Sequence, residues 1–234
     1  MSIYAIVAAG GSGSRMGSDI PKQYLTVDGK PLLYYTLKAF EDSCVDGVSV
    51  AVAKDWMPFV VSDIVDKYRL HKVIRVCEGG AARHVSVYHA LDDLSDVASD
   101  NDIVLIQDGA RPFVTAALIE EIASGVKEYG AAIAAVPVKD TIKISDADGF
   151  VRATTERALT WQIQTPQGFY FSEILEAYRR LFEEDDLDQV TVTDDAMVFE
   201  RAFPEKKVKL IKAFYGNMKI TTAEDFEVAK EKLK

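Results

Sequence analysis

The first 25 residues constrain the fold more than any other part of the chain. They open with an apolar, β-branched run at residues 3–7, of the length expected for a buried strand. A turn rich in glycine and serine follows, and then come two cations, Arg15 and Lys22, with Pro21 directly before the second. Glycine amides can approach an anion closely because no Cβ intervenes, and Arg and Lys supply the opposite charge. The stretch therefore predicts a strand leading into a loop that is either a polyphosphate cradle or an ordinary glycine turn.

The best-known glycine loops fit this stretch less well. A P-loop requires Lys and then Ser or Thr directly after its last glycine, whereas Gly13 is followed by Ser14 and Arg15. A dinucleotide fingerprint requires an acidic residue where the second strand ends, and residues 48–53 run instead into Lys54. Neither motif is therefore assigned.

Strand and helix patterns alternate through the first 136 residues. This alternation predicts an α/β fold, with a Rossmann-like, mostly parallel sheet covered by helices on both faces. The predicted strands are 3–7, 48–53, 73–76, 103–106 and 131–136, and the predicted helices begin at Pro31, at Asp55 as a cap, at 82 and at Thr115. Further on, we expect helices at 172–182, 194–201 and 223–233, strands at 208–211 and 218–220, and an acidic loop at 183–188.

The alternation of strand and helix patterns ends after Pro137. Two short extended runs, 141–145 and 150–155, flank Asp-Ala-Asp-Gly and predict a β-hairpin. A hairpin of this size has little hydrophobic core of its own. We therefore expect the segment at about 138–160, called the arm below, to pack against a second subunit. We therefore predict one domain over residues 1–234 with a protruding arm that forms a homodimer.

Charge and composition exclude several classes of function. The net charge is −10, which disfavours binding to nucleic acid or to an anionic membrane surface. Cys44 and Cys77 are the only cysteines and have no metal-like spacing, which favours a reducing compartment. The N-terminus lacks a signal-peptide pattern, and no apolar run is long enough for a membrane helix. We therefore expect a cytoplasmic protein.

Polar clusters follow several of the predicted strands, where ligands bind in a parallel sheet. Beyond the glycine loop they are Gly79-Gly80 with Arg83 and Ser86, Asp108 with Arg111, and Lys139-Asp140-Thr141. Asp108 is either an oxygen ligand for Mg²⁺ or a carboxylate that caps the next turn or pairs with Arg111. The loop serines have no His and acid partners in the sequence pattern, so hydrolase chemistry is not supported.

Taken together, these motifs resemble the 2-C-methyl-D-erythritol 4-phosphate cytidylyltransferases of the non-mevalonate isoprenoid pathway. The resemblance runs from about residue 3 to 233, and its motifs occur in the family's order: AAGGSGSRMGSDIPKQY, GGAARHVSV, QDGARPF, VPVKDTIK, TERALTWQIQTPQGF, VTDDA and NMKITTAEDF. It implies a nucleotidyltransferase fold of the glycosyltransferase-A type, with CTP and a sugar-alcohol phosphate as substrates and Mg²⁺ or another divalent cation as cofactor.

The resemblance also implies roles for individual residues. Arg15, Lys22 and Lys219 would hold the triphosphate and stabilise the charge developing at the α-phosphate, and Asp108 would take the metal. Asp140, Thr141 and Arg157 would bind the sugar phosphate, with Arg157 reaching from the arm into the neighbouring subunit's site. The remaining implied substrate-binding residues, most of them in the nucleotide pocket, are Ala8, Ala9, Gly10, Gly11, Gly13, Gly79, Gly80, Arg83, Ser86, Arg111 and Thr165.

Some positions depart from the family pattern. Ala81 and Ala82 stand where acidic residues often follow the glycine pair, and Gln107 replaces a common histidine before Asp108. Residues 134–143 and 155–167 favour the methylerythritol branch over the related ribitol 5-phosphate cytidylyltransferases. The alternatives are therefore a ribitol 5-phosphate enzyme and a nucleotide-binding module without turnover.

Overall fold

The computed structural model of the protein describes residues 1–11, 20–183 and 191–233. Its strands are β1 (Ile3–Ala9), β2 (Thr26–Val27), β3 (Lys30–Pro31), β4 (Gly47–Val52), β5 (Val73–Glu78), β6 (Ile103–Asp108), β7 (Ala131–Pro137), β8 (Lys143–Ser145), β9 (Val151–Thr154), β10 (Trp161–Tyr170) and β11 (Lys209–Lys212). Seven of them form one sheet in the order β11-β7-β10-β6-β1-β4-β5. All neighbours in this sheet are parallel except β10, which runs antiparallel to both β6 and β7. The predicted mostly parallel sheet is confirmed.

Helices cover both faces of this sheet. They are α1 (Leu32–Glu41), α2 (Met57–Phe59), α3 (Arg83–Leu94), α4 (Ala116–Tyr129), α5 (Phe171–Glu183), α6 (Asp195–Ala202) and α7 (Ala223–Lys232). Alternate residues of a strand point to opposite faces, so Leu105 packs in the cluster with α1 and α4, while Val104 and Ile106 pack with α3, α5 and α6. Among the described residues, no helix combines the length and the apolar character that crossing a membrane requires.

The strand register brings the predicted polar clusters to one edge of the sheet. Ala8 of β1 lies opposite Asp108 of β6, and Ala9 lies opposite Val52 of β4. The glycine loop that follows β1 therefore starts beside the carboxylate that ends β6. Because the strands are parallel, the loop after β5 opens at the same edge.

The strand β10 was not predicted. Its sequence WQIQTPQGFY mixes polar residues with Pro166 and Gly168, so it lacks the apolar run of a buried strand. It is nevertheless central, because its buried amides have partners: Gln167 donates to Asp194 Oδ2 at 3.0 Å and accepts from the Ala196 N–H at 2.9 Å. Tertiary hydrogen bonds outside the strand thus override its local pattern.

Three smaller predictions were wrong or fall outside the described residues. Residues 218–220 are not a strand, since the Ile220 N–H donates to Ala110 O at 2.8 Å without forming a ladder. Asp55 does not cap a helix, because it lies inside a 3₁₀ turn, Lys54–Trp56, which continues through α2 into a π-helical segment, Val60–Asp66. Of the predicted acidic loop at 183–188, residues 184–188 lie outside the described residues.

The hairpin of β8 and β9 is confirmed as a separate two-stranded sheet. Asp146 shapes its turn by accepting from the N–H groups of Asp148 and Phe150, and Gly149 takes the positive φ of 87°. Its strand residues are all exposed, and Phe150 and Leu159 expose 72% and 73% of their surface. The arm therefore presents apolar side chains that the described residues leave exposed.

The close packing of α4 on β10 yields a stability prediction. An added Cβ at Gly168 would lie 2.7 Å from Val126 Cγ2 and 2.9 Å from Leu105 Cδ2. We expect Gly168→Ala to lower the free energy of unfolding by about 1–3 kcal/mol through overpacking, as measured by urea denaturation. In the control Gly216→Ala, the Cβ meets only the exposed Phe214 ring at 3.2 Å, which can rotate away. Equal stabilities of the two variants would contradict this packing of α4 against β10.

Candidate active site

A cavity of about 420 Å³ opens at the edge of the sheet where β1 and β6 end. Its lining comes from four segments that are distant in sequence: Ala8–Gly11, the turn with Lys22 and Gln23, residues 80–83 with Ser86, and residues 108–110. Lys219 and Thr221, from the loop before α7, complete the wall. The cavity has room for a small organic phosphate and gathers most of the polar clusters named from the sequence.

Side chains hold the glycine segments in place. Gln23 is buried and donates from Nε2 to Ala9 O at 2.6 Å and to Gly11 O at 2.8 Å, which fixes the start of the loop after β1. Across the cavity, Ser86 Oγ accepts from the Gly80 N–H at 3.0 Å. A Cβ at Gly80 would lie 2.1 Å from Val85 Cγ1, so only glycine fits there.

Asp108 is the electrostatic centre of the cavity. Its Oδ1 accepts from Arg83 Nε at 2.8 Å, and its Oδ2 lies 3.2 Å from Arg111 Nε and 3.0 Å from Lys219 Nζ. These three cations come from the start of α3, the turn after β6 and the loop before α7. The predicted pairing with Arg111 is present, but it is one of three ion pairs.

The charge state of Asp108 follows from these neighbours. Burial acts to raise the pKa of Asp108, but the charges of Arg83, Lys219 and Arg111 outweigh it and hold the pKa well below its usual range. Burial likewise acts to lower the pKa of Arg83, and Asp195 and Asp108 more than offset it. Both groups are therefore charged throughout the physiological range of pH.

Arg83 is shared between two carboxylates. Its Nη1 and Nη2 donate to Asp195 Oδ1 and Oδ2 at 2.9 and 2.8 Å, while its Nε donates to Asp108. Asp195 is fully buried and also accepts from the Tyr178 hydroxyl at 2.7 Å. The first residue of α6 is thus linked to the cavity through one guanidinium.

A second network holds the opposite wall. Arg111 Nη1 donates to Asn217 O at 3.0 Å, and the buried Asn217 amide donates to Gln164 Oε1 at 3.0 Å and to Thr165 O at 2.9 Å. Thr165 Oγ1 accepts from the Asp108 N–H at 3.1 Å. The loop that carries Lys219 is therefore fastened to β10 and to the turn after β6.

The structure brings most of the named residues together and leaves others apart. Ala8, Ala9, Gly10, Gly11, Lys22, Gly80, Arg83, Ser86, Asp108 and Lys219 line the cavity, and Gly79, Arg111 and Thr165 lie directly behind this lining. Gly13 and Arg15 lie outside the described residues. Asp140, Thr141 and Arg157 are exposed at the base of the arm and do not line the cavity of their own chain.

Four contributing residues were not singled out from the sequence: Gln23, Asp195, Asn217 and Thr221. Each holds another residue in place through buried or partly buried hydrogen bonds, and Thr221 does so through Asp225. Three of them fall within the motifs VTDDA and NMKITTAEDF, in which only Lys219 was assigned a role from the sequence.

The cavity offers few protein donors to a divalent cation. Among the described residues, no three His, Cys, Asp or Glu side chains cluster as a metal site. Asp108 offers one hard carboxylate to the cavity, which suits Mg²⁺ when phosphate oxygens and water complete its coordination. The residues therefore fit a cation that arrives with a phosphate ligand, and not a metal held by protein alone.

Comparison with known proteins agrees with this geometry. The family model described as "IspD: 2-C-methyl-D-erythritol 4-phosphate cytidylyltransferase" matches residues 3–234. Proteins with this enzyme name from Lachnospira eligens and Alkaliphilus oremlandii are 46% and 44% identical, covering 96% and 98% of this chain and 96% and 94% of theirs.

Solved structures agree as well. The crystal structure of 4-diphosphocytidyl-2C-methyl-D-erythritol synthase from Anaerococcus prevotii superposes with a TM-score of 0.84 at 32% identity, covering 99% of this chain and 96% of that one. The cytidylyltransferase from Francisella tularensis gives a TM-score of 0.80 at 30% identity, with 99% of both chains covered. With the match over nearly its whole length, the chain belongs to the 2-C-methyl-D-erythritol 4-phosphate cytidylyltransferase family.

Proposed function

We propose that this protein transfers CMP from CTP to 2-C-methyl-D-erythritol 4-phosphate and releases pyrophosphate. The observation that carries the proposal is the cavity at the end of β1 and β6, where Arg83, Arg111 and Lys219 surround Asp108 and Lys22 lines the same wall, in a chain of this family. The product is the 4-diphosphocytidyl compound for which the Anaerococcus prevotii relative is named.

The chemistry follows from charge. A sugar monophosphate is mostly a dianion near neutrality, since its second pKa is about 6, so its oxygen needs no general base to attack. That oxygen forms a bond to the α-phosphorus of CTP, and the bond from the α-phosphorus to the β-bridging oxygen breaks, with pyrophosphate taking the electron pair. The obstacle is the repulsion between two anions, which cations must offset.

Different residues of the chain would bind the triphosphate, the nucleoside and the cation. We assign Lys22 and Lys219, with Arg15, to the triphosphate, because a preorganised positive charge there stabilises the crowded α-phosphate without moving during the reaction. We assign Ala8, Ala9, Gly79, Gly80 and Ser86 to the nucleoside, since these small residues leave room for a flat base. The glycine loop, with Gly10, Gly11 and Gly13, is assigned to the triphosphate, because backbone amides without a Cβ can approach an anion closely. Asp108 would hold a divalent cation, which when bound supplies further positive charge to the triphosphate.

We further propose that the acceptor site is completed across a homodimer. Asp140, Thr141 and Arg157 are assigned to the sugar phosphate, and they lie at the base of an arm whose apolar side chains include Ile144, Phe150 and Leu159. Several exposed apolar side chains on one short arm favour a protein partner. In a symmetric dimer, each arm would bring its Arg157 to the partner's cavity.

The acceptor is tested by a pyrophosphate-release assay with CTP and Mg²⁺. We expect rapid release with 2-C-methyl-D-erythritol 4-phosphate and a much lower kcat/KM with ribitol 5-phosphate. The reverse preference would identify a ribitol 5-phosphate enzyme. CTP binding without pyrophosphate release from either acceptor would identify a nucleotide-binding module.

Lys22 is expected to act in the transition state. Lys22→Ala should lower kcat by about 10²–10³-fold, the range for loss of one preorganised charge, with an unchanged circular dichroism spectrum. Lys54→Ala serves as the matched control, because Lys54 is an exposed lysine outside the cavity. A Lys22→Ala rate within a few-fold of the Lys54→Ala rate would remove Lys22 from the proposed mechanism.

Complementation tests whether Arg157 acts across the dimer. Arg157→Ala alone should raise the KM for the sugar phosphate more than the KM for CTP. After Lys22→Ala and Arg157→Ala chains are mixed and allowed to exchange, a heterodimer would hold one intact site, with Lys22 from one chain and Arg157 from the other. We expect recovery of about a quarter of the wild-type activity at subsaturating acceptor. If mixing restores nothing while the chains demonstrably exchange, Arg157 does not serve the partner's site.

A further inference from the structure

Asp195 is a buried charge that the proposed reaction does not use. Its side chain is fully buried at the start of α6 and does not line the cavity. Its carboxylate accepts hydrogen bonds from two nitrogens of Arg83, at 2.9 and 2.8 Å, and from the hydroxyl of Tyr178 at 2.7 Å. Removing a carboxylate from water costs free energy, so an effect on its partners must offset this cost: Asp195 must either stabilise the fold or position a neighbouring group.

Stability alone is a weak account of this ion pair. Buried ion pairs contribute little beyond what apolar packing of the same volume would contribute. The start of α6 is already tied to β10 through Gln167, which contacts both Asp194 and Ala196, and the helix buries Val198 and Phe199. The specific effect of Asp195 is therefore on the orientation of the Arg83 guanidinium.

Arg83 uses a different edge of its guanidinium for each carboxylate. The two Nη groups face Asp195, and Nε faces Asp108 at 2.8 Å. Asp108 also forms ion pairs with Arg111 and Lys219. Among the described residues, Arg83 is the only cation that forms an ion pair with Asp195. Arg83 can therefore release Asp108 and still keep a bidentate carboxylate partner.

We propose that Asp195 is a positioning residue for nucleotide binding: it retains Arg83 in the cavity wall while Asp108 turns to the cation that accompanies CTP. The inference rests on the proposed function, since it takes CTP as the ligand. Without Asp195, Asp108 is the carboxylate that still pairs with the guanidinium of Arg83. Arg83 then competes with the incoming cation for Asp108, and the affinity for CTP falls.

A double-mutant cycle tests this coupling. Calorimetric titration of CTP in excess Mg²⁺ is compared for the wild type, Asp195→Asn, Arg83→Gln and the double variant. We expect Asp195→Asn to raise the Kd for CTP about tenfold, as for other residues that orient a ligand-binding group. In the Arg83→Gln background the same change should alter the Kd less than about twofold, because no guanidinium remains to be retained.

Two results of the cycle would overturn the proposal. One is a Kd for Asp195→Asn within about twofold of the wild-type value. The other is the same fold loss from Asp195→Asn in both backgrounds, which would show a structural effect independent of Arg83. Glu200→Gln is the matched control, because it removes one carboxylate from the exposed side of the same helix, and its Kd should equal that of the wild type.

Tyr178→Phe keeps the test decisive if Asp195→Asn does not fold. It removes the hydroxyl that donates to Asp195 and leaves the ring and all charges in place. We expect a rise in the Kd of about two- to threefold in the wild-type background, near the lower end of what one hydrogen bond contributes, and none in Arg83→Gln. An unchanged Kd in the wild-type background contradicts the proposal.

The readout separates this inference from the proposed function. CTP binding is measured without any acceptor, so it does not depend on which sugar phosphate is used. If the wild type binds CTP but releases no pyrophosphate with 2-C-methyl-D-erythritol 4-phosphate, the proposed reaction is wrong while the cycle still decides the role of Asp195.

Discussion

The structure of the cavity depends on one buried carboxylate that three cations neutralise. Asp108 ends the central strand β6, and its partners Arg83, Arg111 and Lys219 come from three different segments of the chain. Together with Asp195, these groups leave one positive charge in excess, before Lys22 is counted. A chain with a net charge of −10 thus concentrates positive charge in this cavity, where an anionic ligand would be favoured.

The strand β10 makes this arrangement rigid. It lies between β6 and β7 and contributes polar side chains where the other central strands contribute apolar ones. Thr165 holds the backbone of Asp108, Gln167 holds the start of α6, and Gln164 holds Asn217. Both walls of the cavity are therefore anchored to the same strand, so the cations keep their relative positions without help from a ligand.

How much the sequence could predict follows from the range of the interactions involved. The parallel strands and their helices rest on local apolar periodicity, so their positions were correct to within a few residues, as with α3 and α4. The cluster around Asp108 was predictable in part, because strands of a parallel sheet end at one edge. Strand β10, Asp195 and Asn217 were not, since each is polar and is buried against partners far away in the sequence.

The exposed arm links assembly to chemistry in the proposed function. The 3₁₀ turn Arg157–Leu159 places a cation two residues from an apolar side chain that is 73% exposed. Burying that side chain against another subunit would fix the position of the neighbouring guanidinium at the same time. Lys22 and Lys219, assigned to the triphosphate, line the cavity of their own chain, whereas Arg157, assigned to the acceptor, lies outside that cavity. Formation of the dimer would then complete the acceptor site while leaving the nucleotide site intact in each subunit, so the two substrates would depend on assembly to different degrees.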